Sequence, residues 1–113
     1  MRVYPARFVG EFGEIDYSDW KSTVPNVGDV ALILRQREKD APAVPHALIR
    51  CACGDLDVIP LLPATSTGWM LASREPVTIA PSVRVSVGAT TTCHYFVQAD
   101  QIQMLDDTTR RLP

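Results

Sequence analysis

Proline is the residue that most limits how this chain can fold. Nine prolines are spread through its 113 residues, and few stretches between them keep an uninterrupted helical period. Proline lacks a backbone N–H and clashes with the preceding helical turn, so it is confined to loops, edge strands, bulges and helix starts. The sequence therefore predicts a mainly β fold, a single small antiparallel β-domain over residues 1–113 with its core at about 27–107.

Runs of β-branched and apolar residues, bounded by turn-forming residues, predict where the first strands lie. Gly28 and Asp29 stand at the start of the first run, and Gly54 and Asp55 form a turn between the second and the third. The predicted strands lie within residues 27–38, 46–53, 54–63 and 68–73.

The second half of the chain has the clearest strand pattern. Within residues 75–88 the apolar side chains stand at alternate positions, and Pro81 marks an edge or a bulge. Residues 92–105 are predicted to form a hairpin that turns near Ala99 and Asp100. These segments extend the predicted sheet.

Charge and hydropathy exclude several classes of partner. The net charge is −2 and the pI is about 5.6, so no overall positive field attracts nucleic acid or anionic lipid. No apolar run approaches the roughly 20 residues of a membrane helix, and the N-terminal residues lack the apolar stretch of a signal peptide. We therefore expect a soluble cytoplasmic protein with neither a nucleic-acid nor a membrane partner.

Cysteine and histidine are the residues best suited to carry chemistry in this chain. Three cysteines are an odd number, which fits a disulfide framework poorly, and in a reducing cytosol clustered cysteines more often bind metal or do redox chemistry. Cys51 and Cys53 are two positions apart, and side chains at that spacing in an extended strand face the same side. Together with Cys93 and His94 they complete a Cys₃His set, which Zn²⁺ accepts.

A geometric objection applies to Cys93 and His94. Adjacent residues of a regular strand point to opposite faces, so both can bind one ion only where the strand is distorted. His46, Asp55 or a water molecule is the alternative fourth ligand. The metal ligands predicted from the sequence are Cys51, Cys53, Cys93 and His94.

Other polar residues give little indication of chemistry. Ser82 has no convincing base partner in the sequence, so a serine nucleophile receives little support. Asp106 and Asp107 are expected to be solvated, and the tail that follows carries too little apolar area to pack strongly. No catalytic residue is therefore assigned from the sequence.

Several segments together resemble a known protein family. The chain is similar to small uncharacterised zinc-binding proteins of bacteria and tailed phages, and the similarity covers residues 48–107. Members usually have a Cys-x-Cys-Gly-Cys motif, and Asp55 stands in place of its last cysteine here. Some members carry names that suggest ammonia oxidation, which no residue of this chain supports. The segments that carry the resemblance are Cys51-Ala52-Cys53-Gly54, Pro81-Ser82, Cys93-His94-Tyr95-Phe96, Ile102-Gln103 and Asp106-Asp107.

The resemblance implies zinc as the cofactor, and with it a zinc-binding β core stapled by a Cys/His metal site. It also implies a phage-encoded protein of the host cytoplasm. Some bacterial relatives are associated with ubiquitin-like conjugation genes, which implies an accessory role with a protein partner. The implied metal ligands are Cys51, Cys53, Cys93 and His94.

Three functions remain open on the sequence. A closed Cys₃His site leaves no coordination position for a substrate, so the first is a zinc-stabilised binding or accessory protein whose metal is structural. The alternative is a zinc-dependent hydrolase or deaminase, in which Asp55, Asp57 or Glu75 acts as the base beside a metal-bound water. The chain lacks the zinc-deaminase pattern of His-x-Glu followed by Pro-Cys-x-x-Cys. The third is a metal-free homo-oligomer joined through strand edges.

Overall fold

Short strands joined by turns make up most of the computed structural model, which describes residues 2–63 and 68–112. Helical structure in these residues is a 3₁₀ turn at Tyr17–Asp19 followed by the short helix α1 (Trp20–Thr23). No helix among them is long and apolar enough to cross a membrane. The prediction of a mainly β fold is confirmed. The strands are β1 (Val3–Pro5), β2 (Arg7–Glu14), β3 (Asp29–Arg35), β4 (Val44–Arg50), β5 (Leu56–Pro60), β6 (Met70–Arg74), β7 (Val77–Val87), β8 (Thr90–Gln98) and β9 (Gln101–Met104).

The strands form two sheets. One has five antiparallel strands in the order β1-β9-β8-β7-β6, and the other has four strands in the order β2-β3-β4-β5. The four-stranded sheet is mixed, because β2 and β3 are parallel whereas its other pairs are antiparallel. The sequence pattern did not predict β1 and β2, because a proline and two glycines interrupt the apolar residues at 3–14.

Side chains from both sheets form the main hydrophobic core. Alternate residues of β4 face opposite sides of its sheet. Ala47 and Ile49 belong to the main core, whereas Leu48 packs in a second cluster with Trp20 of α1. A strand buried on both faces is apolar at consecutive positions, which explains why the centre of β4 is a continuous apolar run.

The hairpin between β8 and β9 turns where the sequence predicts. Ala99 and Asp100 are the two residues between the strands, and both have positive φ angles, 49° and 62°. Tight two-residue hairpins of type I′ require positive φ at both central positions. The Asp100 carboxylate also accepts a hydrogen bond from the Val77 amide at 2.6 Å, which fixes the turn against β7. The hairpin prediction is confirmed.

The segment 51–54 is a turn rather than the end of a strand. The Gly54 amide donates to the Cys51 carbonyl at 2.9 Å, and the Cys51 amide donates to the Asp55 carbonyl at 3.1 Å. The predicted turn at Gly54 and Asp55 is therefore confirmed. The expectation that Cys51 and Cys53 share one face of an extended strand is wrong, because β4 ends before them.

Burial of His46 on β4 gives stability a dependence on pH. The side chain is buried, and its Nδ1 lies 2.9 Å from the Val44 carbonyl oxygen. Burial lowers the pKa of His46, because the imidazolium form loses hydration, and the Val44 carbonyl opposes this only in part. His46 therefore binds a proton more strongly in the unfolded chain than in the folded protein. We expect the free energy of unfolding to fall as the pH drops below about 6.5, the usual pKa of histidine.

The variant His46→Asn tests this expectation, because the asparagine amide nitrogen takes about the position of Nδ1 beside the Val44 carbonyl but does not titrate. Urea unfolding midpoints are measured at pH 7.5 and 5.5. The loss on acidification is expected to be smaller in the variant than in the wild type. An equal loss in both proteins would contradict the role given to His46.

Candidate active site

Three polar side chains lie in a hydrogen-bonded row on the face of the five-stranded sheet turned away from the core. Ser82 Oγ is 2.8 Å from His94 Nε2, and His94 Nδ1 is 2.9 Å from both carboxylate oxygens of Asp107. Because a carboxylate only accepts, Nδ1 carries the proton and donates it to Asp107. Nε2 of the neutral ring then accepts from the Ser82 hydroxyl. A serine, a histidine and an aspartate in this order can activate a serine nucleophile.

A bulge in β7 positions Ser82. The register shifts between Ile79 and Val83, where three residues of β7 stand opposite one residue of β8. Pro81 was predicted to mark an edge or a bulge; it lies in this bulge, and β7 is an inner strand between β8 and β6. Bulges change the direction in which a strand presents its side chains. The Ser82 carbonyl is held in addition by the Trp69 indole, whose Nε1 donates to it at 3.1 Å.

The alternation of β8 places His94 on this outer face. Cys93 is fully buried, whereas the His94 side chain is 19% exposed. The two neighbours therefore point to opposite sides of the sheet, as the two-residue period of a strand predicts. The backbone of His94 is fixed as well: its amide donates to Thr108 Oγ1 at 3.0 Å, and its carbonyl accepts from the Leu105 amide at 2.8 Å.

A C-terminal segment hydrogen-bonded along β8 holds Asp107. The Thr108 amide donates to the Leu105 carbonyl at 3.1 Å and closes a turn that contains Asp107. Thr109 and Arg110 then donate to backbone carbonyls of β8 at 2.7 and 3.0 Å. The tail was expected to pack weakly for lack of apolar area. Hydrogen bonds attach it instead, and they bring a carboxylate to the histidine.

The expectation that Ser82 lacks a base partner is wrong, because His94 takes that position. Asp107 was expected to be solvated, and its side chain is 51% exposed but bound to His94. The three residues are 12 and 13 positions apart along the chain, so only the pairing of β7 with β8 and the docked tail bring them together. The available signals were the bulge at Pro81 and the outward position of His94.

The three cysteines lie together on the opposite side of β8. Cys53 and Cys93 form a disulfide, although the odd number of cysteines argued against one, and Cys51 Sγ is 3.9 Å from Cys93 Sγ. All three sulfur atoms lie within 4.8 Å of one another, close enough to hold a metal ion when the thiols are free. We call these three residues the thiol cluster.

Within residues 2–63 and 68–112 the thiol cluster contains no histidine or carboxylate. Both ring nitrogens of His94 are hydrogen-bonded on the other face of the sheet. His46 Nδ1 lies beside the Val44 carbonyl, and the Asp55 carboxylate forms an ion pair with Arg110. The structure thus brings together three of the four predicted ligands.

A buried carboxyl group lies beside the thiol cluster. Tyr95 Oη donates to Asp57 Oδ2 at 2.6 Å. Burial raises the pKa of Asp57. Burial, together with the nearby Asp57 charge, raises the pKa of Cys51 to about 11. Cys51 is therefore a neutral thiol at neutral pH in this arrangement, and a neutral thiol is a poor nucleophile.

Comparison with known proteins identifies a family whose members this chain resembles in sequence. The family described as "BubE: Bacterial ubiquitination-like system serine protease" matches the chain over residues 20–105. No curated protein and no solved structure matches the chain. The matched residues include Ser82 and His94 and end shortly before Asp107.

Proposed function

The chain belongs to the BubE family of bacterial ubiquitination-like system serine proteases, and from this premise we propose that it is itself a serine protease. Ser82 is the nucleophile, His94 is the general base and acid, and Asp107 orients the histidine. The observation that carries the proposal is the continuous row of hydrogen bonds from Ser82 Oγ through both nitrogens of His94 to the carboxylate.

Acylation follows from the positions of these atoms. Ser82 Oγ attacks the carbonyl carbon of the scissile bond while its proton passes to His94 Nε2. The imidazolium that forms keeps its Nδ1–H bond to Asp107, whose negative charge stabilises it. When the tetrahedral intermediate collapses, the bond to the leaving group breaks and that group takes the proton from Nε2. The acyl group remains bound to Ser82 as an ester.

Deacylation uses the same residues with water as the nucleophile. A water molecule attacks the ester carbonyl and gives its proton to His94 Nε2. The second tetrahedral intermediate releases Ser82 Oγ, which takes that proton back. The products are a carboxylic acid and the regenerated enzyme, so the cycle needs no metal or redox cofactor at Ser82.

The surroundings of the row support a polypeptide substrate. Ser82 and His94 are partly exposed on the outer face of the five-stranded sheet. Phe96 on β8 and Met70 on β6 also lie exposed, at 37% and 50%. An open face with apolar side chains near the nucleophile suits an extended chain. We propose that the substrate is a protein of the ubiquitination-like system that the family description names.

The order of the three residues along the chain, Ser82 before His94 before Asp107, does not weigh against this function. Triads of the same geometry occur on unrelated folds in several chain orders, so they are recognised by the roles of the atoms. The number of residues between the members of such a triad depends on the fold. Here the β7–β8 hairpin separates Ser82 from His94, and the docked C-terminal segment brings Asp107 to His94.

The thiol cluster supports a second proposal, a structural zinc ion in the reduced protein. Zinc–sulfur bonds of about 2.3 Å in a tetrahedral site place sulfur atoms about 3.8 Å apart. The 3.9 Å between Cys51 Sγ and Cys93 Sγ fits that spacing. Reduction of the Cys53–Cys93 disulfide by a cellular thiol would free the other two sulfur atoms, because Cys51 is already a free thiol. A metal bound there would crosslink the 51–54 turn to β8, and the depth of Cys51 and Cys93 favours a structural over a catalytic role.

A fluorophosphonate probe tests the proposed protease, because it forms a covalent bond with activated serines and needs no knowledge of the substrate. We expect the wild-type protein to be labelled and the variants Ser82→Ala and His94→Gln to be unlabelled. Ser86→Ala is the matched control, since Ser86 is an exposed serine of the same strand, and it is expected to be labelled normally. Labelling of Ser82→Ala at the wild-type rate would contradict the proposal.

A further inference from the structure

Arg84 is the charged residue placed next to the proposed nucleophile. It lies on β7, two positions after Ser82, and its direct partner across the ladder is His94. Directly opposed residues of antiparallel strands have Cβ atoms about 5 Å apart and share one face of the sheet. Arg84 is exposed, so its guanidinium stands on the open face that a substrate would cover.

The guanidinium of Arg84 is oriented by a hydrogen bond but has no countercharge among residues 2–63 and 68–112. Its Nε donates to Thr91 Oγ1 at 2.8 Å, which leaves the two terminal nitrogens for other acceptors. In the part of the chain that the structure describes, Arg84 forms no ion pair, whereas Arg7, Arg74 and Arg110 each pair with a carboxylate.

The carboxylate of Asp107 is close to this position but is already bound. Both of its oxygens accept from His94 Nδ1, on the side of the ring away from Ser82. The site therefore has a negative group behind the histidine and a positive group beside it, on the substrate face. A carboxylate of a bound substrate is the natural acceptor for the terminal nitrogens of Arg84, because arginine presents parallel N–H groups that match two carboxylate oxygens.

We propose that Arg84 selects substrates that carry a carboxylate next to the scissile bond. This inference rests on the proposed protease function and adds the chemical class of its substrate. The carboxylate has two sources: an acidic side chain on the acyl side, or a carboxylate on the leaving-group side, including the C-terminus of a short released peptide. A charged hydrogen bond of this kind changes kcat/KM by about 10- to 100-fold.

Two matched series of activated esters test this inference and separate the two sources. In the acyl series, 4-nitrophenyl monoesters of succinic, glutaric and adipic acids are compared with their methyl esters. In the leaving-group series, 3-carboxyphenyl acetate is compared with 3-carbamoylphenyl acetate. The measured quantity is the ratio of kcat/KM for the acid to kcat/KM for the neutral ester, after subtraction of the uncatalysed rate. The proteins are wild type, Arg84→Gln and Arg37→Gln, an arginine of an exposed loop.

We expect Arg84→Gln to lower this ratio by about 10- to 100-fold in at least one series, with the neutral ester hydrolysed as in the wild type. The series that responds identifies the source of the carboxylate. Arg37→Gln is expected to leave the ratio unchanged. Equal ratios in wild type and Arg84→Gln throughout both series would overturn the inference.

An equal loss on acid and neutral esters would also overturn it, since Arg84 would then support the reaction without selecting a carboxylate. Fluorophosphonate labelling of the same proteins separates this inference from the proposed function. If the wild-type protein is labelled but shows no preference for the acid esters, only the proposed selection by Arg84 is wrong. If the wild-type protein is neither labelled nor able to hydrolyse the esters, the proposed protease function is wrong, and the selection by Arg84 with it.

Discussion

Replacing Asp107 with asparagine is expected to lower kcat by about 10³- to 10⁴-fold while the protein stays folded. In serine proteases with this arrangement the equivalent change lowers kcat by about 10⁴-fold, because an amide stabilises the wrong tautomer of the histidine. Here Asp107 accepts from His94 Nδ1 with both oxygens, so asparagine would replace one of these two acceptors with a donor. Hydrolysis of 4-nitrophenyl acetate and a thermal melt measure the two quantities.

Asp106→Asn is the matched control, because Asp106 is an exposed carboxylate one position away from Asp107. It removes the same charge without touching the His94 hydrogen bond, and kcat is expected to stay within about twofold of the wild type. If both variants lose activity equally, the negative charge of the tail matters rather than the orientation of His94, and the role assigned to Asp107 is wrong.

Replacing Cys93 with serine is expected to cause the largest loss of stability in this protein. In the oxidised protein it breaks the Cys53–Cys93 crosslink, whose sequence separation is 40 residues. The chain-entropy relation for a loop of that length gives about 4 kcal/mol. In the reduced protein it removes a proposed zinc ligand, and metal binding at such sites supplies on the order of 10 kcal/mol. Urea unfolding measures the free energy of unfolding in both conditions.

The variant Cys51→Ser distinguishes the stabilising effect of the disulfide from that of the proposed zinc ion. Cys51 is outside the disulfide, so in the oxidised protein its replacement is expected to cost less than that of Cys93. In the reduced protein with zinc, the two variants are expected to be equally damaging, and elemental analysis is expected to find about one zinc per wild-type chain. If Cys93→Ser has the same unfolding midpoint as the wild type in both the oxidised and the reduced protein, the thiol cluster does not stabilise the fold.

The strands in the second half of the chain were predictable because their signals are local. Alternating apolar positions in β7 place the bulge at Pro81 within one continuous strand. The turn at Ala99 and Asp100 follows from the polar break between two apolar runs. The segment around Cys51 and Cys53 was less predictable, because hydrogen bonds of the turn, rather than the pattern of side chains, end β4 there.

The sequence predicted His94 as a metal ligand and assigned no catalytic residue, although Ser82, His94 and Asp107 all stand in the segments that carry the family resemblance. Cys93 lies next to His94, and that adjacency suggested one metal site. The period of a strand separates them: Cys93 points to the core and His94 to the outer face. The partners of His94 come from a bulge and from a docked tail, and no local pattern specifies either contact.

Peptide mapping by tandem mass spectrometry of the wild-type protein after reaction with the fluorophosphonate probe tests the central claim most directly, because it identifies the residue that attacks. The expected result is a single phosphonyl adduct on Ser82. An adduct on another serine, or a protein that stays unmodified while a known serine protease in the same solution is labelled, would contradict the assignment of Ser82, His94 and Asp107 as the catalytic residues.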